Sequence, residues 1–421
     1  MRIVYLNPCG QLGGAETSLI EILGSIRATM PEWELHLVLG EDGPLAAEAR
    51  QCGVRVRVEP FPPALAQIGD SRKHPLKTLF GLLQGAGAAL TYRKRLAEIL
   101  YSARPDLIHT NGFKMHVLGA WAREGSTPLA WHIHDYVSTR RLMSRLLVVF
   151  KAACSVAIVN SNSVARDVES VLRGLPTVTV HNAIDTQRFS PDGPALELDR
   201  LAGLPVPRRP IVRIGLIATF ARWKGHRVFL RALATLPPEL DVRGYVIGDA
   251  IYQTNDSQWT VTELLKEAAD LGLGSRVGFT GFVRDVPGAM RALDIVVHAS
   301  EQPEPFGMII IEAMACAKAL VASRAGGALE LFSEERTALG HVPGDAADLA
   351  RQLERLVRDQ PFRERLGREG RLSVQQSFQR DRLGRQLSEV YGRLCNASTE
   401  RAAEDPDGDD DRRRQRFKKA V

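Results

Sequence analysis

Two glutamates carry the strongest chemical signal in the chain. They are Glu304 and Glu312, in the stretch Pro303-Glu304-Pro305-Phe306-Gly307-Met308-Ile309-Ile310-Ile311-Glu312-Ala313-Met314-Ala315. The apolar run Asp294 to His298 predicts a strand, and a helix is predicted to start near Phe306 or Gly307. The N–H groups left open at a helix start form an anion site. Gly307 would let a ligand approach that backbone. Glu304 then stands at the helix mouth and Glu312 about two turns inside. Two carboxylates so placed could grip hydroxyls at the two ends of an extended sugar nucleotide. The same pair could also be a dipole-favoured acid followed by a solvated one. The strand–loop–helix setting and the glycine favour the ligand.

Three other groups fit the same chemistry. Arg222 and Lys224 lie in Thr219-Phe220-Ala221-Arg222-Trp223-Lys224-Gly225, directly after a predicted strand. Cations there suit a diphosphate leaving group, whose charge grows as a glycosidic bond breaks; a solvated loop pair is the alternative. Gly13-Gly14 precedes a helix, where glycine permits φ > 0 and close approach of an anion, although such a pair is often only a turn. The pattern is not GxGxxG and lacks the acidic residue a dinucleotide ribose needs. His134 closes the strand Leu129-Ala130-Trp131-His132-Ile133 and precedes Asp135. Alternation along a strand lets His132 and His134 point the same way. His134, at the strand end, is preferred, with a satisfied core histidine as the other reading.

The elements that must hold these groups read as two α/β series. Strands are expected at Ile3 to Leu6, Leu35 to Leu39, Val54 to Val58, Asp106 to His109, Leu129 to Ile133, Val156 to Val159 and Thr177 to His181, separated by helical stretches. Residues 190–210 hold five prolines without strand alternation and are expected to be a linker. A second series follows, with strands at Ile211 to Leu216, Val242 to Ile247, Arg276 to Phe279, Asp294 to His298 and Ala319 to Ala322. Its helices are expected near 225–236, 260–272, 306–317 and 346–396. The expected fold is therefore α/β, with two Rossmann-like, doubly wound parallel-sheet domains facing a cleft. The first spans 1–189 and the second 211–378. A final helix occupies 379–398, and a charged, disordered tail occupies 399–421.

In this order the motifs resemble the retaining glycosyltransferases of family 4 (glycosyl transferases group 1), which have the GT-B fold. Besides the Glu304–Glu312 spacing in the setting His298-Ala299-Ser300…Pro303-Glu304-Pro305-Phe306-Gly307, the resemblance rests on Gly13-Gly14-Ala15-Glu16, His134-Asp135, His181-Asn182-Ala183-Ile184-Asp185 with Phe189, Trp223-Lys224-Gly225-His226, Ile247-Gly248-Asp249, Phe279-Thr280-Gly281-Phe282 and Ala325-Gly326-Gly327. It covers roughly residues 1–396. It implies a nucleotide diphosphate sugar as donor, bound mainly by the second domain, and an acceptor bound by the first. Glu312 would take the donor ribose and Glu304 the sugar. Arg222, Lys224 and the amides of Phe306, Gly307, Met308 and Ile309 would hold the diphosphate. Val283, after the Phe279-Thr280-Gly281-Phe282 stretch, joins the donor set, as do Gly13 and Gly14, and His134 would face the transferred sugar. Many family members carry an arginine where this chain has Thr219, which leaves Arg222 less secure than Lys224. The last helix would return to the first domain. The resemblance implies front-face transfer, with the donor phosphate accepting the acceptor's proton. No side chain is an obvious nucleophile, no DxD-type metal motif stands out, and no cofactor is expected to be required.

Rival readings stay open. A sugar-nucleotide epimerase on this fold would need further acid–base carboxylates, and a phosphorylase a lysine-bound pyridoxal. A non-catalytic sugar-nucleotide binder would not need Glu304, Lys224 and Glu312 together.

Composition limits the partners. The chain has 421 residues, 44% of them hydrophobic and 25% charged, which excludes global disorder and collagen-like chains. Its five cysteines are scattered without a CxxC pair, which points to a reducing compartment. Neither a signal peptide nor an apolar run of about 18 residues is seen. The net charge of +6 is the small difference of 55 basic and 49 acidic residues, so position matters more than amount. The acidic and basic blocks of the tail nearly cancel. Basic residues border apolar faces at 72–83, before Arg93-Lys94-Arg95, and again where Arg140, Arg141 and Arg145 precede Leu146 to Phe150. Such helices can lie on anionic lipid, or can be core helices with a solvated face. The expected partners are the nucleotide-sugar donor, a glycan, polyprenyl-linked or other lipid-linked acceptor, and an anionic membrane surface, but not nucleic acid. The expected location is cytoplasmic, peripheral at the inner face of the cell membrane, with surface polysaccharide or glycolipid synthesis as the setting.

Overall fold

Runs rich in Val, Ile and Leu, without a polar alternate, suit strands covered on both faces, and such runs form the centre of both sheets. The computed structural model describes residues 1–62, 78–250 and 257–404. Its strands are β1 (Arg2–Asn7), β2 (Glu34–Leu39), β3 (Arg55–Val58), β4 (Leu107–Asn111), β5 (Leu129–Ile133), β6 (Val156–Val159) and β7 (Thr177–Thr179), then β8 (Val212–Ile217), β9 (Val242–Ile247), β10 (Val277–Gly281), β11 (Ile295–His298), β12 (Ala319–Ser323) and β13 (Leu339–His341). One sheet has the order β3-β2-β1-β4-β5-β6-β7, the other β10-β9-β8-β11-β12-β13. The pairings are parallel. Each sheet winds outward from its first strand and then crosses to the other side. The switch points lie between β1 and β4 and between β8 and β11, and ligands bind beyond the carboxyl ends of strands at such points.

The chain divides into two compact units, Met1–Ala183 with Arg380 onward, and Ile184–Gln379. In the first, the helix Gly14–Thr29 buries Leu19, Ile22, Leu23 and Ile26. The helix Arg380–Glu404 packs Leu383, Leu387, Val390 and Tyr391 into the same cluster. That spacing is one helical stripe, and each such side chain contributes roughly 1.5–3 kcal/mol by leaving water. Arg380 pairs with the buried Glu21, and Arg382 donates to the carbonyls of His181 (2.6 Å) and Asn182 (3.0 Å).

The structure corrects several expectations. The helical stretch expected over 346–396, with its final helix at 379–398, is three helices: Ala346–Arg358, Gln360–Ser377 and Arg380–Glu404. Asp359 interrupts the first two, because its carboxylate caps the second by accepting the Phe362 amide at 2.9 Å, and Pro361 suits that first turn. The last helix runs to Glu404, past the expected start of the tail at Thr399. Strand β13 escapes the sequence reading, since three residues show no period. The proline-rich stretch is part of the second unit rather than a free linker. It carries the short helix Leu198–Leu201, whose buried Asp199 accepts from Arg213 (3.0 Å) and Tyr245 (2.6 Å) and pairs with Arg243. Burial would raise the Asp199 carboxyl, but these donors hold it below its usual range.

No disulfide joins any of the five cysteines among the described residues. No helix among the described residues is long and apolar enough to cross a membrane. The basic stretch at 72–77, with the side chains that follow it to Leu83, and the tail beyond Glu404 lie outside the described residues. Of Arg93-Lys94-Arg95, Arg93 lies over the Trp121 ring and Arg95 pairs with Glu59 at 3.2 Å.

Candidate active site

In the second unit, β8 pairs with β11, so the loops that leave their carboxyl ends are neighbours. This adjacency brings Lys224 to Glu304. The first loop is a 3₁₀ turn, Arg222–Lys224, ended by Gly225 at φ +75°. A Cβ at Gly225 would stand 1.9 Å from the Ala299 carbonyl oxygen, so only glycine lets the two loops approach this closely. Lys224 Nζ donates to Glu304 Oε1 at 2.9 Å and to Oε2 at 2.8 Å, and lies 4.0 Å from the Trp223 ring centroid. Glu304 is buried. Its backbone carbonyl accepts the Gly327 amide at 2.7 Å, which ties it to the Ala325-Gly326-Gly327 stretch. Burial alone would raise the Glu304 carboxyl. Lys224 and His298 outweigh burial and hold it well below the ordinary carboxylate range, so it is ionised. His226, one residue beyond Gly225, is pushed down to about 4, by burial first and then by Lys224.

The following helix, Met308–Ala315, starts after Gly307, which has φ +101°. No side chain caps this end. Phe306 is buried with its ring edge-on to Phe378, and Met308 and Ile309 are half-buried at the first turn. Glu312 is half-buried one turn further on. Val283, after β10, is half-buried against the apolar cluster of this unit. Arg222 lies over the Trp259 ring at 3.8 Å and pairs with Glu263 at 3.3 Å. It lines a cavity of about 360 Å³ with Trp223, Arg227, Arg231 and Trp259. The structure thus brings Lys224 and Glu304 together, while Arg222 is engaged by Trp259 and Glu263.

In the first unit, His134 follows β5 and is partly exposed, whereas His132 is fully buried beneath it. Their ring centroids are 4.0 Å apart, as expected for alternate residues of one strand. His132 lies edge-on to His109, whose Nδ1 meets the Tyr391 hydroxyl at 2.9 Å. Both ring nitrogens of His132 and of His134 are buried without a hydrogen bond. Burial pushes His134 down to about 4 and His109 to about 3, and puts His132 well below its ordinary value. His134 therefore meets a ligand as a neutral imidazole near pH 7. Asn160 holds its carbonyl at 3.3 Å.

The glycine pair needs a correction. Gly13 is extended, with φ −109°, so no positive φ is used there. It caps the helix Gly14–Thr29, and its amide donates to Glu16 Oε2 at 3.2 Å. A Cβ at Gly14 would meet nothing within 4 Å, so this helix start faces open space. Two residues of the second unit escaped the sequence reading as site residues, His298 and Ser300, both of which touch Glu304. Their signal was the His-Ala-Ser spacing at the end of β11, which puts both on one side of the chain.

Two parallel sheets, each with its candidate groups at the carboxyl edge, define the pair of Rossmann-like domains found in GT-B glycosyltransferases. Residues 12–188 match the family model described as Glycosyltransferase Family 4, and residues 212–373 match that described as Glycosyl transferases group 1. The chain belongs to this family. A crystal structure of Anabaena HepE in complex with UDP is similar at a TM-score of 0.75 and 28% identity, covering 93% of this chain and 100% of that one. The same protein with UDP-glucose gives 0.74 and 28%, with 93% and 99% covered. The lipopolysaccharide core biosynthesis glycosyltransferase LpsE of Rhizobium meliloti (strain 1021) is 30% identical over 193 residues, 46% of this chain and 53% of that protein. The N-acetyl-alpha-D-glucosaminyl L-malate synthase of Bacillus anthracis is 26% identical over 214 residues, 51% of this chain and 52% of that protein. The chain spans about half the length of these curated relatives.

Proposed function

We propose that this protein is a retaining glycosyltransferase that moves a sugar from a nucleotide diphosphate sugar to a glycan or lipid-linked acceptor, in surface polysaccharide or glycolipid synthesis. The observation that carries this reading is the Lys224–Glu304 pair beside the Gly307 helix start. A cation, an open helix N-terminus and an ionised carboxylate suit a diphosphate with a sugar attached. The bound UDP and UDP-glucose of the HepE structures support a uridine donor, and the lipopolysaccharide role in LpsE's name supports a surface-glycan setting.

The second domain binds the donor in this reading: Lys224 with the Met308 and Ile309 amides takes the diphosphate, Glu304 the sugar and Glu312 the ribose. The first domain binds the acceptor near His134, a neutral donor or acceptor of hydrogen bonds. The leaving phosphate takes the acceptor's proton in a front-face transfer, and no resident cofactor is invoked. Contact with an anionic membrane is part of the proposal. The helix Arg141–Phe150 buries Met143 and Leu147 and exposes Leu142, Val148 and Val149 beside Arg140, Arg141 and Arg145. Peripheral attachment at the cytoplasmic face would follow.

A panel of nucleotide sugars, with UDP-glucose first, tests the reading through release of the nucleotide. Glu312→Ala should weaken donor binding and lower kcat/KM by about tenfold or more, as for the loss of a hydrogen-bonded charged group. Unchanged donor binding and turnover in that variant would overturn the assignment.

A further inference from the structure

Lys224 has two duties in the proposed reaction. Its ammonium donates to both oxygens of Glu304, and an arriving diphosphate would draw on the same three N–H groups. A buried carboxylate that loses its cation is costly unless other donors hold it.

The structure supplies such donors. Ser300 Oγ donates to Glu304 Oε2 at 2.7 Å, and His298 Nε2 lies 3.3 Å from the same oxygen. The two groups meet each other at 3.1 Å. His298 and Ser300 are 3% and 1% exposed. Neither hangs from the loop that carries Lys224. The Ser323 amide donates to His298 Nδ1 at 3.4 Å, which leaves the hydrogen on Nε2, facing the carboxylate. The Ser323 hydroxyl donates to the Ser300 carbonyl at 2.7 Å, and His341 Nε2 meets the His298 carbonyl at 3.2 Å. The couple is thus anchored to β12 and β13.

We propose that His298 and Ser300 are positioning residues for the Glu304 carboxylate, fixing its rotamer and keeping it hydrogen-bonded while Lys224 is shared with the donor diphosphate. The inference rests on the roles given above to Glu304 and Lys224. Among the described residues, Lys224, from the loop after β8, and His298, from β11, are titratable groups that face this carboxylate. Behind them stand His226, beside Lys224, and His341 of β13, against His298.

The test uses the full chain, UDP-glucose as donor, and release of UDP measured at neutral pH and at a temperature where circular dichroism shows each variant folded. Ser300→Ala and His298→Phe should each lower kcat/KM about tenfold, the scale of a hydrogen bond to a charged group. His298→Gln, whose side-chain amide can donate to the same oxygen, should recover most of the loss. A merely structural histidine would change the melting temperature and leave kcat/KM of the folded protein unchanged. Unchanged kcat/KM in both folded variants, or a His298→Gln protein no better than His298→Phe, overturns the proposal. Glu304→Gln separates the two levels: wild-type turnover there sinks the role of Glu304 itself. Loss of turnover there, with kcat/KM unchanged in Ser300→Ala and His298→Phe, sinks the positioning role alone.

Discussion

The buried histidines of the first unit make its stability depend on pH in a calculable way. His132 is 1% exposed, neither ring nitrogen has a hydrogen-bond partner, and its pKa lies well below 6.5 because burial disfavours the charged ring. The unfolded chain has no such burden and takes a proton near pH 6.5. Below that value the unfolded state binds more protons than the folded one, so stability falls as the pH falls. Between pH 7 and pH 5 one histidine that stays neutral in the fold costs about 2 kcal/mol. His134 and His109, held at about 4 and about 3, add losses of the same sign until the pH reaches those values. His132→Leu keeps the side-chain volume and removes the titrating ring. Its stability at pH 7 includes a packing change of either sign. The informative quantity is therefore the difference between the two pH values. Urea unfolding of both proteins at pH 7 and pH 5, followed by fluorescence and circular dichroism, gives that difference. The variant should lose about 2 kcal/mol less than the wild type on going to pH 5. Equal losses would mean that the folded protein accommodates a proton on His132, and the burial argument would fail.

Two further outcomes follow from particular contacts. Arg380→Ala removes, from the start of the last helix, the guanidinium that pairs with the buried Glu21 carboxylate and should cost about 3–5 kcal/mol, the scale of breaking a buried ion pair. Denaturant midpoints check this, and Glu21→Gln added to that variant should restore part of the loss. On the membrane side, Leu142→Asp with Val149→Asp should abolish co-sedimentation with vesicles containing anionic lipid while leaving the circular dichroism spectrum unchanged; wild-type protein that ignores such vesicles refutes the membrane contact.

Much of the fold was legible because parallel strands covered on both faces must be continuous apolar runs. Ile3 to Leu6, Val156 to Val159 and Val242 to Ile247 all lie in strands for that reason. Features that depend on a single side chain were not legible. Asp359 splits a helical stretch by capping, and Asp199 fastens a proline-rich segment to the second unit through partners far along the chain. The Gly307 helix start was also readable, since strand, glycine and apolar helix are adjacent in sequence. The use expected of Gly13 was not, because an extended cap and a positive-φ turn look alike as a glycine pair.

The sequence by itself determined the two parallel-sheet domains, the family, and the identity of Glu304, Lys224, Glu312 and His134 as candidate groups, because local periodicity and motif spacing are properties of neighbouring residues. Only the tertiary structure decided which of them meet. Lys224 and Glu304 come together because β8 and β11 are neighbours across the switch point, and Arg222 is engaged by Trp259 and Glu263 from a different connection. Ser300 and His298 are close to Glu304 in sequence, but Ser323 of β12 and His341 of β13 fix how they meet its carboxylate. Contacts between strand ends are set by sheet order, which no local pattern encodes.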